Sequence, residues 1–596
     1  MRAAILSPAL AALALLTVTC QSTPDEPQAS FPNVVIVMTD DQGWGDIGAH
    51  GNAVLDTPRL DELAAQSGGM HRFYVSPVCT PTRAALMTGR NSIRTRAIDT
   101  YRGRAMMDTR EVTIAEVLQE NGYATGLFGK WHLGDSYPMR PQDQGFEEVL
   151  CHRGGGLAQP ADHLDNNRRY TNAWLYHNGK AVHTQGYCMD VYADYAIEHM
   201  RKSVADGRPF FTYLATNTPH GPWHDVPDDL LAKYKARDLS EVLPDPKQAD
   251  RMAASFAMIE NIDQNVGRLM DTLDELGVAK DTIFIYMHDN GPAIRHYVGE
   301  MRGMKSEVFE GGIRSPFFVR WPGKVPAGDR RPEIASHMDV WPTLVEATGV
   351  NAPDIEDMDG RSIWPLLTGE ARDWPERLIH IQAHRGDVRL PEHNFATIGS
   401  RYKLMRASGF GREQLPEKPA PLALYDLQED PLEQNNLIEE MPELAQSMLD
   451  AHRAWFAEAS DYPEVGTPPA IVLDFDAEPY HELNRNDWRP NGGGYGPKGG
   501  YRIRVEQDME VDIFLYTRGA AKAGNSFVTV RWNGQELVDG TEPWINAVGE
   551  RIAIPLRKLK LTAGTSMLEF ELMDGDKVVP AEHIQIAPAG EFYSID

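Results

Sequence analysis

Apolar and polar positions along this chain follow two periods. From about residue 32 to 460, short apolar runs alternate with stretches whose apolar residues recur every three or four positions. The runs 34–38, 124–128, 210–214 and 282–287 are continuous enough for strands buried on both faces. Between them, 60–66, 112–120, 189–200 and 253–276 read as amphipathic helices. Strands alternating with helices predict an α/β fold, a mostly parallel sheet sandwiched by helices, over residues 32–370. Residues 371–460 read as a smaller α+β subdomain of the same unit, with a strand at 395–398 and a helix at 443–457. Past a Pro-containing linker at 462–469 the period becomes two, at 501–505, 511–517, 526–532 and 566–572. With Asn533-Gly534 as a hairpin turn, residues 470–596 predict an appended β-sandwich.

The first twenty residues stand apart. Arg2 precedes an apolar stretch at 9–18 that ends at Cys20, and 21–31 is a polar tether. The stretch is too short for a membrane span and reads as an export signal. The tether favours lipoprotein processing with Cys20 acylated, the alternative being ordinary cleavage nearby. Either predicts an exported protein, periplasmic or at the surface of a bacterium, touching membrane only through a lipid at Cys20.

Charge and cysteine content narrow the function classes. The 596 residues carry 86 acidic and 58 basic side chains, a net −28. Such a balance excludes nucleic acid as a partner, because phosphate backbones call for basic patches. It also offers a polyanion little long-range attraction, so added salt is expected to slow capture little. Four cysteines form no disulfide scaffold. Cys151 and Cys188 are free to pair or not.

The chemistry collects where strands end, which is where open α/β sheets bind ligands. The four runs lead into Asp40-Asp41, Lys130-Trp131-His132, Thr218-Pro219-His220 and Asp289-Asn290. Asp40, Asp41, Asp289 and Asn290 supply only oxygen, and clustered carboxylates repel unless a cation joins them. That favours Ca²⁺, with Mg²⁺ second, over helix-capping roles. Cys79-Thr80-Pro81-Thr82-Arg83 opens a helix, so Cys79 is expected at its N-terminus with a lowered pKa.

These residues together resemble the type I sulfatases of the alkaline phosphatase superfamily, in particular exported bacterial arylsulfatases and polysaccharide sulfatases. Cys79-Thr80-Pro81-Thr82-Arg83 resembles the family signature C-x-P-x-R, and residues 129–134 resemble its second signature. Asp40-Asp41, Thr218-Pro219-His220, Asp289-Asn290-Gly291, Lys305 and residues 424–431 follow in the family's order. The match spans about residues 33–457, with Thr82 where the family usually has Ser. The resemblance implies sulfate-ester hydrolysis by a formylglycine made from Cys79, hence a formylglycine-generating enzyme as a maturation partner. It implies Ca²⁺ on Asp40, Asp41, residue 79, Asp289 and Asn290. Arg83 and Lys130 would orient the hydrated aldehyde. His220, aided by Lys305, would serve the leaving oxygen, and His132 would take a proton as sulfate departs.

A sulfated saccharide is the expected substrate. Arg168, Arg169, His163, His224, Arg295 and His296 are the candidates to grip it, with Arg153, His177, His384, Arg385 and Trp223 also in reach. Trp488, Trp532 and Trp544 of the sandwich read as core, or else as a glycan platform. Two other readings compete: a phosphonate or phosphate-ester hydrolase of the same superfamily, and a catalytically dead exported glycan-binding protein.

Overall fold

The computed structural model describes residues 31–596 except 167–168, 300, 372, 388–389, 412–417, 492–495, 519–525, 542–544, 547–550 and 592–596. The predicted export signal, Arg168 and Trp544 therefore lie outside the described residues. Among these, no helix is long and apolar enough to cross a membrane.

Eleven strands form the main sheet: β1 Asn33–Thr39, β2 Gly68–Tyr74, β3 Ala124–Lys130, β4 Glu148–His152, β5 Trp174–His177, β6 Lys180–His183, β7 Phe210–Ala215, β8 Thr282–His288, β9 Arg314–Ser315, β10 Phe317–Arg320 and β11 Arg330–Ser336. Their order is β11-β2-β10-β8-β1-β7-β3-β4-β5-β6, with β9 against β2. The four apolar runs of the sequence are β1, β3, β7 and β8. They lie side by side at the centre as β8-β1-β7-β3, all parallel. Thr39 pairs with His288, and Ala215 pairs with both Met38 and Gly129. The four chains thus leave the sheet at one level. The periphery is mixed: β10 runs antiparallel to β8 and β2, and β5–β6 is a hairpin.

The helices that frame the sheets include α1 Pro58–Gln66, α2 Cys79–Thr88, α3 Ile114–Glu120, α4 Cys188–Ala205, α5 Ala249–Glu275, α6 Val340–Thr348 and α7 Pro442–Ala459. Alternate residues of β1 serve the two faces of the sheet. Val35 and Val37 pack with Leu60, Tyr192 and Phe256 of α1, α4 and α5. Val34, Ile36 and Met38 pack with Leu86, Val117 and Trp341 of α2, α3 and α6. Helix α3 starts two residues later than its apolar pattern because Thr113 and Glu116 close a capping box ahead of it. Cys151 belongs to one face and Cys188 to the other; both are free and buried, so they do not pair.

Four antiparallel strands, β12 Ile379–Gln382, β13 Phe395–Ile398, β14 Tyr402–Arg406 and β15 Ala423–Asp426, make a second sheet backed by α7. Its buried Lys403 bridges Glu310 at 3.0 Å and Glu433 at 2.8 Å, which ties this sheet to the segment entering β9.

The remaining strands, from Ile471 to Pro588, form a seven-stranded and a five-stranded sheet around a shared core. Asn533 and Gly534, at φ 51° and 73°, turn Ser526–Trp532 into Gln535–Thr541, as the sequence predicts. Trp488 and Trp532 are core residues. The segment 484–489 of this unit touches the catalytic unit. The Asn486 carbonyl accepts from Gly103 N–H at 3.0 Å, and Arg489 donates to the Arg102 carbonyl at 2.9 Å and pairs with Asp387 at 2.5 Å.

Candidate active site

The parallel register puts Asp40 and Asp289 one residue past paired ends, with Lys130 closing β3 beside them. Lys130 Nζ meets Asp40 Oδ2 at 2.7 Å, and neither side chain has exposed surface. Arg83, one turn into α2, donates from Nη2 to Asp289 Oδ2 at 2.8 Å and from Nη1 to the Lys130 carbonyl at 3.0 Å. Asp41 holds a left-handed φ of 64°, an uncommon strain for a non-glycine residue that turns its carboxylate into the cluster. There Oδ1 meets Lys305 Nζ at 2.5 Å, and Oδ2 lies 3.6 Å from His220 Nε2. The Cys79 thiol lies 3.5 Å from Asp40 Oδ1 and 3.7 Å from Lys305 Nζ. It faces a cleft of about 640 Å³.

Charges settle these groups unequally. Burial would raise the Asp40 carboxyl, but Lys130 first and then His220, Arg83 and Lys305 outweigh it and hold it well below the usual range. Burial and the Asp40 charge push Asp289 up to about 6. Burial resists the charge on Lys305, yet Asp41 and the Cys79 sulfur prevail and raise it. Burial lowers His220, with Lys305 adding to it, and takes His132 far down, with Lys130 adding.

Cys79 corrects one expectation. It does begin α2, but burial pushes its thiol up to about 12 despite Lys130 and Lys305. The dipole of the helix terminus is outweighed here by the desolvation of a thiolate in a closed site. An unmodified thiol here is a poor nucleophile. Thr82 replaces serine harmlessly: its hydroxyl accepts from Ser76 N–H at 3.0 Å and pins the loop before α2.

The donor set fits a hard cation. Ligating atoms of Asp40, Asp41, Cys79 and His220 all lie within 4.8 Å of one another. Asp289 Oδ1 accepts from Asp41 N–H at 3.2 Å, and Asn290 Nδ2 donates to Asp41 Oδ1 at 2.8 Å. Asn290 Oδ1 is buried without a hydrogen-bond partner. A half-turn of that amide exchanges the two atoms and adds an oxygen to the carboxylates. His220 Nε2 borders this group on the cleft side, 3.6 Å from Asp41 Oδ2.

His132 reaches the cleft at a left-handed φ of 60°, with Nε2 2.8 Å from the Thr100 carbonyl. The run of three glycines lies against both histidines. A Cβ on Gly155 would stand 2.9 Å from His132 Cε1, and one on Gly156 3.6 Å from His220 Nδ1.

The predicted saccharide contacts fare worse. Arg168 is outside the described residues, and none of the other five is among those lining the cleft. His163 is buried and stacked on Trp174 at 4.9 Å. His296 is buried against Asp46 at 2.6 Å, a partner that raises its pKa against the pull of burial. Arg169 pairs with Asp225 at 3.1 Å, Arg295 pairs with Glu307 at 2.8 Å, and His224 is exposed. Of the wider set, Arg153 pairs with Glu482 and His177 with Glu148, while the Trp223 indole bonds the Pro219 carbonyl. Only Arg385 lines the cleft. It pairs with buried Asp99 at 3.0 Å and lies over the rings of Tyr101 and Phe410 at 4.3 and 4.6 Å. Thr100, Tyr101, Gln159 and Phe410 line the cleft too, and no motif marks them in the sequence.

Residues 32–350, more than half of the chain, match the family described as Sulfatase. The protein belongs to the sulfatase family. Residues 302–453 of this sulfatase also match the C-terminal region of N-sulphoglucosamine sulphohydrolase, so the sandwich lies beyond both matches. It is 31% identical over 480 residues to arylsulfatase A of Bos taurus, covering 74% of this chain and 89% of that one. It is 30% identical over 387 residues to N-acetylgalactosamine-6-sulfatase of Canis lupus familiaris, covering 60% and 69%. Among solved structures, Ps i-CgsB in complex with k-i-k-neocarrahexaose superposes with a TM-score of 0.62 at 26% identity, over 73% of this chain and 95% of that one. The sulfatase has the fold of the alkaline phosphatase superfamily and is a hydrolase of sulfate esters.

Proposed function

We propose that this sulfatase removes sulfate from a sulfated saccharide, with residue 79 converted to formylglycine and Ca²⁺ held by Asp40, Asp41, Asp289 and Asn290. The observation that carries the reading is the setting of residue 79. It lies at the floor of a cleft, between one carboxylate cluster and Lys305, with a thiol too basic to attack by itself. Formylglycine would supply, as its hydrate, one hydroxyl to attack sulfur and a second whose deprotonation lets sulfate leave. Calcium would supply positive charge to a sulfate oxygen and lower the pKa of the attacking hydroxyl.

The chain's own groups do the rest. Asp289, held by Arg83 at the end of β8, would accept the proton of the attacking hydroxyl. Lys130 and Arg83 hold Asp40 and Asp289 in place and offset charge on the three sulfate oxygens. Lys305 and His220 flank the cleft side of residue 79. There Lys305 neutralises, and His220 Nε2 protonates, the departing sugar oxygen. His132, buried and neutral, can take the proton of the second hydroxyl. The named activity of the canine relative and the hexaose in the Ps i-CgsB complex support a saccharide, as does a cleft walled by Tyr101, Phe410 and Arg385. Export through residues 1–20 is part of the same proposal.

The test is sulfate release from a panel of defined sulfated saccharides by enzyme coexpressed with a formylglycine-generating system, beside Cys79→Ala. We expect release from at least one saccharide and none from the variant. Retained turnover by Cys79→Ala would refute the role of residue 79. Faster phosphate than sulfate release from matched aryl esters would favour the phosphate-ester reading.

A further inference from the structure

A second carboxylate pair lies away from the catalytic cluster, at the junction with the sandwich. Asp135 stands three residues past His132 on the chain leaving β3. Asp487 lies in the sandwich, between strands His481–Asn484 and Arg489–Pro490. Both are buried, Asp487 to 1% exposure. Asp135 Oδ2 accepts from Gly154 N–H at 2.8 Å and from Asn484 Nδ2 at 2.9 Å. Neither oxygen of Asp487 has a hydrogen-bond partner, and neither does the adjacent Asn486 Nδ2. The Asp135 N–H and the Asn486 amide lean toward the Asp487 carboxylate without closing a bond. Burial and then the Asp135 charge push Asp487 up to about 8.

The positive charge acting on both carboxylates is Arg153, and it is engaged already. It pairs with Glu482 and lies 4.0 Å over the Tyr176 ring. The buried Asp135 and Asp487 and the partly buried Glu482 therefore share the Arg153 guanidinium. Like-charged carboxylates in a dry site are tolerated only when something positive joins them, a proton or a metal ion. The donors favour a metal. Asp487 offers two oxygens and Asp135 its Oδ1, and a half-turn of the Asn486 amide puts another oxygen in place of its unbonded Nδ2. An all-oxygen set of this size suits a hard divalent ion completed by water.

We propose that Asp135, Asp487 and Asn486 form a second divalent-cation site, of the calcium class, that clamps the sandwich to the catalytic unit. The clamp sits under the cleft. Asn486 also holds Gly103, two residues past Tyr101, and Asp135 holds Gly154, next to Gly155. The site is distinct from the catalytic cluster and does not depend on how that cluster works.

The test counts calcium bound per chain by equilibrium dialysis of the full-length protein at pH 7.5, in wild type and in Asp487→Asn. We expect wild type to bind one equivalent more than the variant. Its melting temperature should rise with calcium by several degrees more than the variant's does. Because the readout is a difference, it holds whether or not the catalytic cluster is filled. Equal stoichiometry in the two proteins would overturn the proposal and assign the pair a shared proton. Asp135→Asn should lose the same equivalent, and it decides the matter if Asp487→Asn fails to fold.

Discussion

Arg83 and Asp289 form an ion pair of 2.8 Å with at most 1% of either side chain exposed. The same guanidinium reaches the Lys130 carbonyl, so one residue of α2 ties together the ends of β8 and β3. Breaking such a pair strands a buried charge, which costs about 3–5 kcal/mol. Arg83→Ala should lose about that much in urea unfolding and lose sulfate release as well. Arg83→Lys keeps the charge but not the planar fork, and should recover stability better than activity. An unchanged unfolding midpoint in Arg83→Ala would contradict the pairing.

His220 faces the cleft beside Lys305, and its proposed work is protonating the departing oxygen. His220→Ala should therefore slow esters of weakly acidic alcohols by about 10²–10⁴. Esters of acidic phenols, which leave without help, should change little. The check is the slope of log kcat/KM against leaving-group pKa, which should steepen. A uniform drop across the series would assign His220 to another step.

Chelation should abolish sulfate release, because the proposed calcium supplies positive charge to the sulfate while Lys130, Arg83 and Lys305 are already engaged by the three carboxylates. Calcium should restore the rate, and magnesium should restore less because it insists on a smaller octahedral shell. Full activity after exhaustive dialysis against chelator, with no calcium detected by elemental analysis, would remove the ion from the reaction.

Asp263 on α5 is buried, and its Oδ1 accepts from Leu60 N–H at 2.7 Å. Burial, with the charges of Asp61 and Glu260, raises it to about 7. A carboxyl raised on folding stabilises the native state fully below its unfolded pKa of about 3.9, and that contribution fades as pH climbs to about 7. Asp263→Asn keeps the acceptor and removes the titration. Relative to wild type, it should gain stability between pH 5 and pH 8 by about 3 kcal/mol, the share of the shift that lies between pH 5 and about 7. Urea unfolding at the two pH values reads this directly; a difference independent of pH would refute it.

Arg385 is pinned by Asp99 at 3.0 Å between two aromatic rings on the cleft wall. Arg385→Ala should raise KM for the saccharide roughly tenfold or more, the worth of a hydrogen bond to a charged group. The kcat on a small aryl sulfate should stay within about threefold, since that substrate does not reach the wall.

The central sheet and the catalytic cluster were both legible because the same physics writes both. Strands β1, β3, β7 and β8 are buried on two faces, so their apolar runs are unbroken and their polar successors stand out. The strands of the main sheet outside the central four were not legible. The segment Gly68–Tyr74 carries glycines, a histidine and an arginine, and becomes a strand only through its neighbours β10 and β11. The residues that line the cleft escaped for a similar reason. His163 and His296 share a composition with surface histidines, and only the fold shows that Trp174 and Asp46 claim them. Tyr101 and Phe410 meet across about three hundred residues of chain, a proximity that no local pattern encodes.

The grip of segment 484–489 on loop 99–104 also sets an order of events. Chain synthesis proceeds at about 5–20 residues per second, and N-terminal units fold first. Once Lys305 has emerged, roughly 10–40 s pass before Arg489 follows it. Through that interval loop 99–104 lacks its bonds from Asn486 and Arg489, while the central sheet can already close. The sandwich is thus the last brace of that loop to be made, and a chain cut before residue 484 would keep every residue that lines the cleft yet lose the bonds that steady Tyr101 among them.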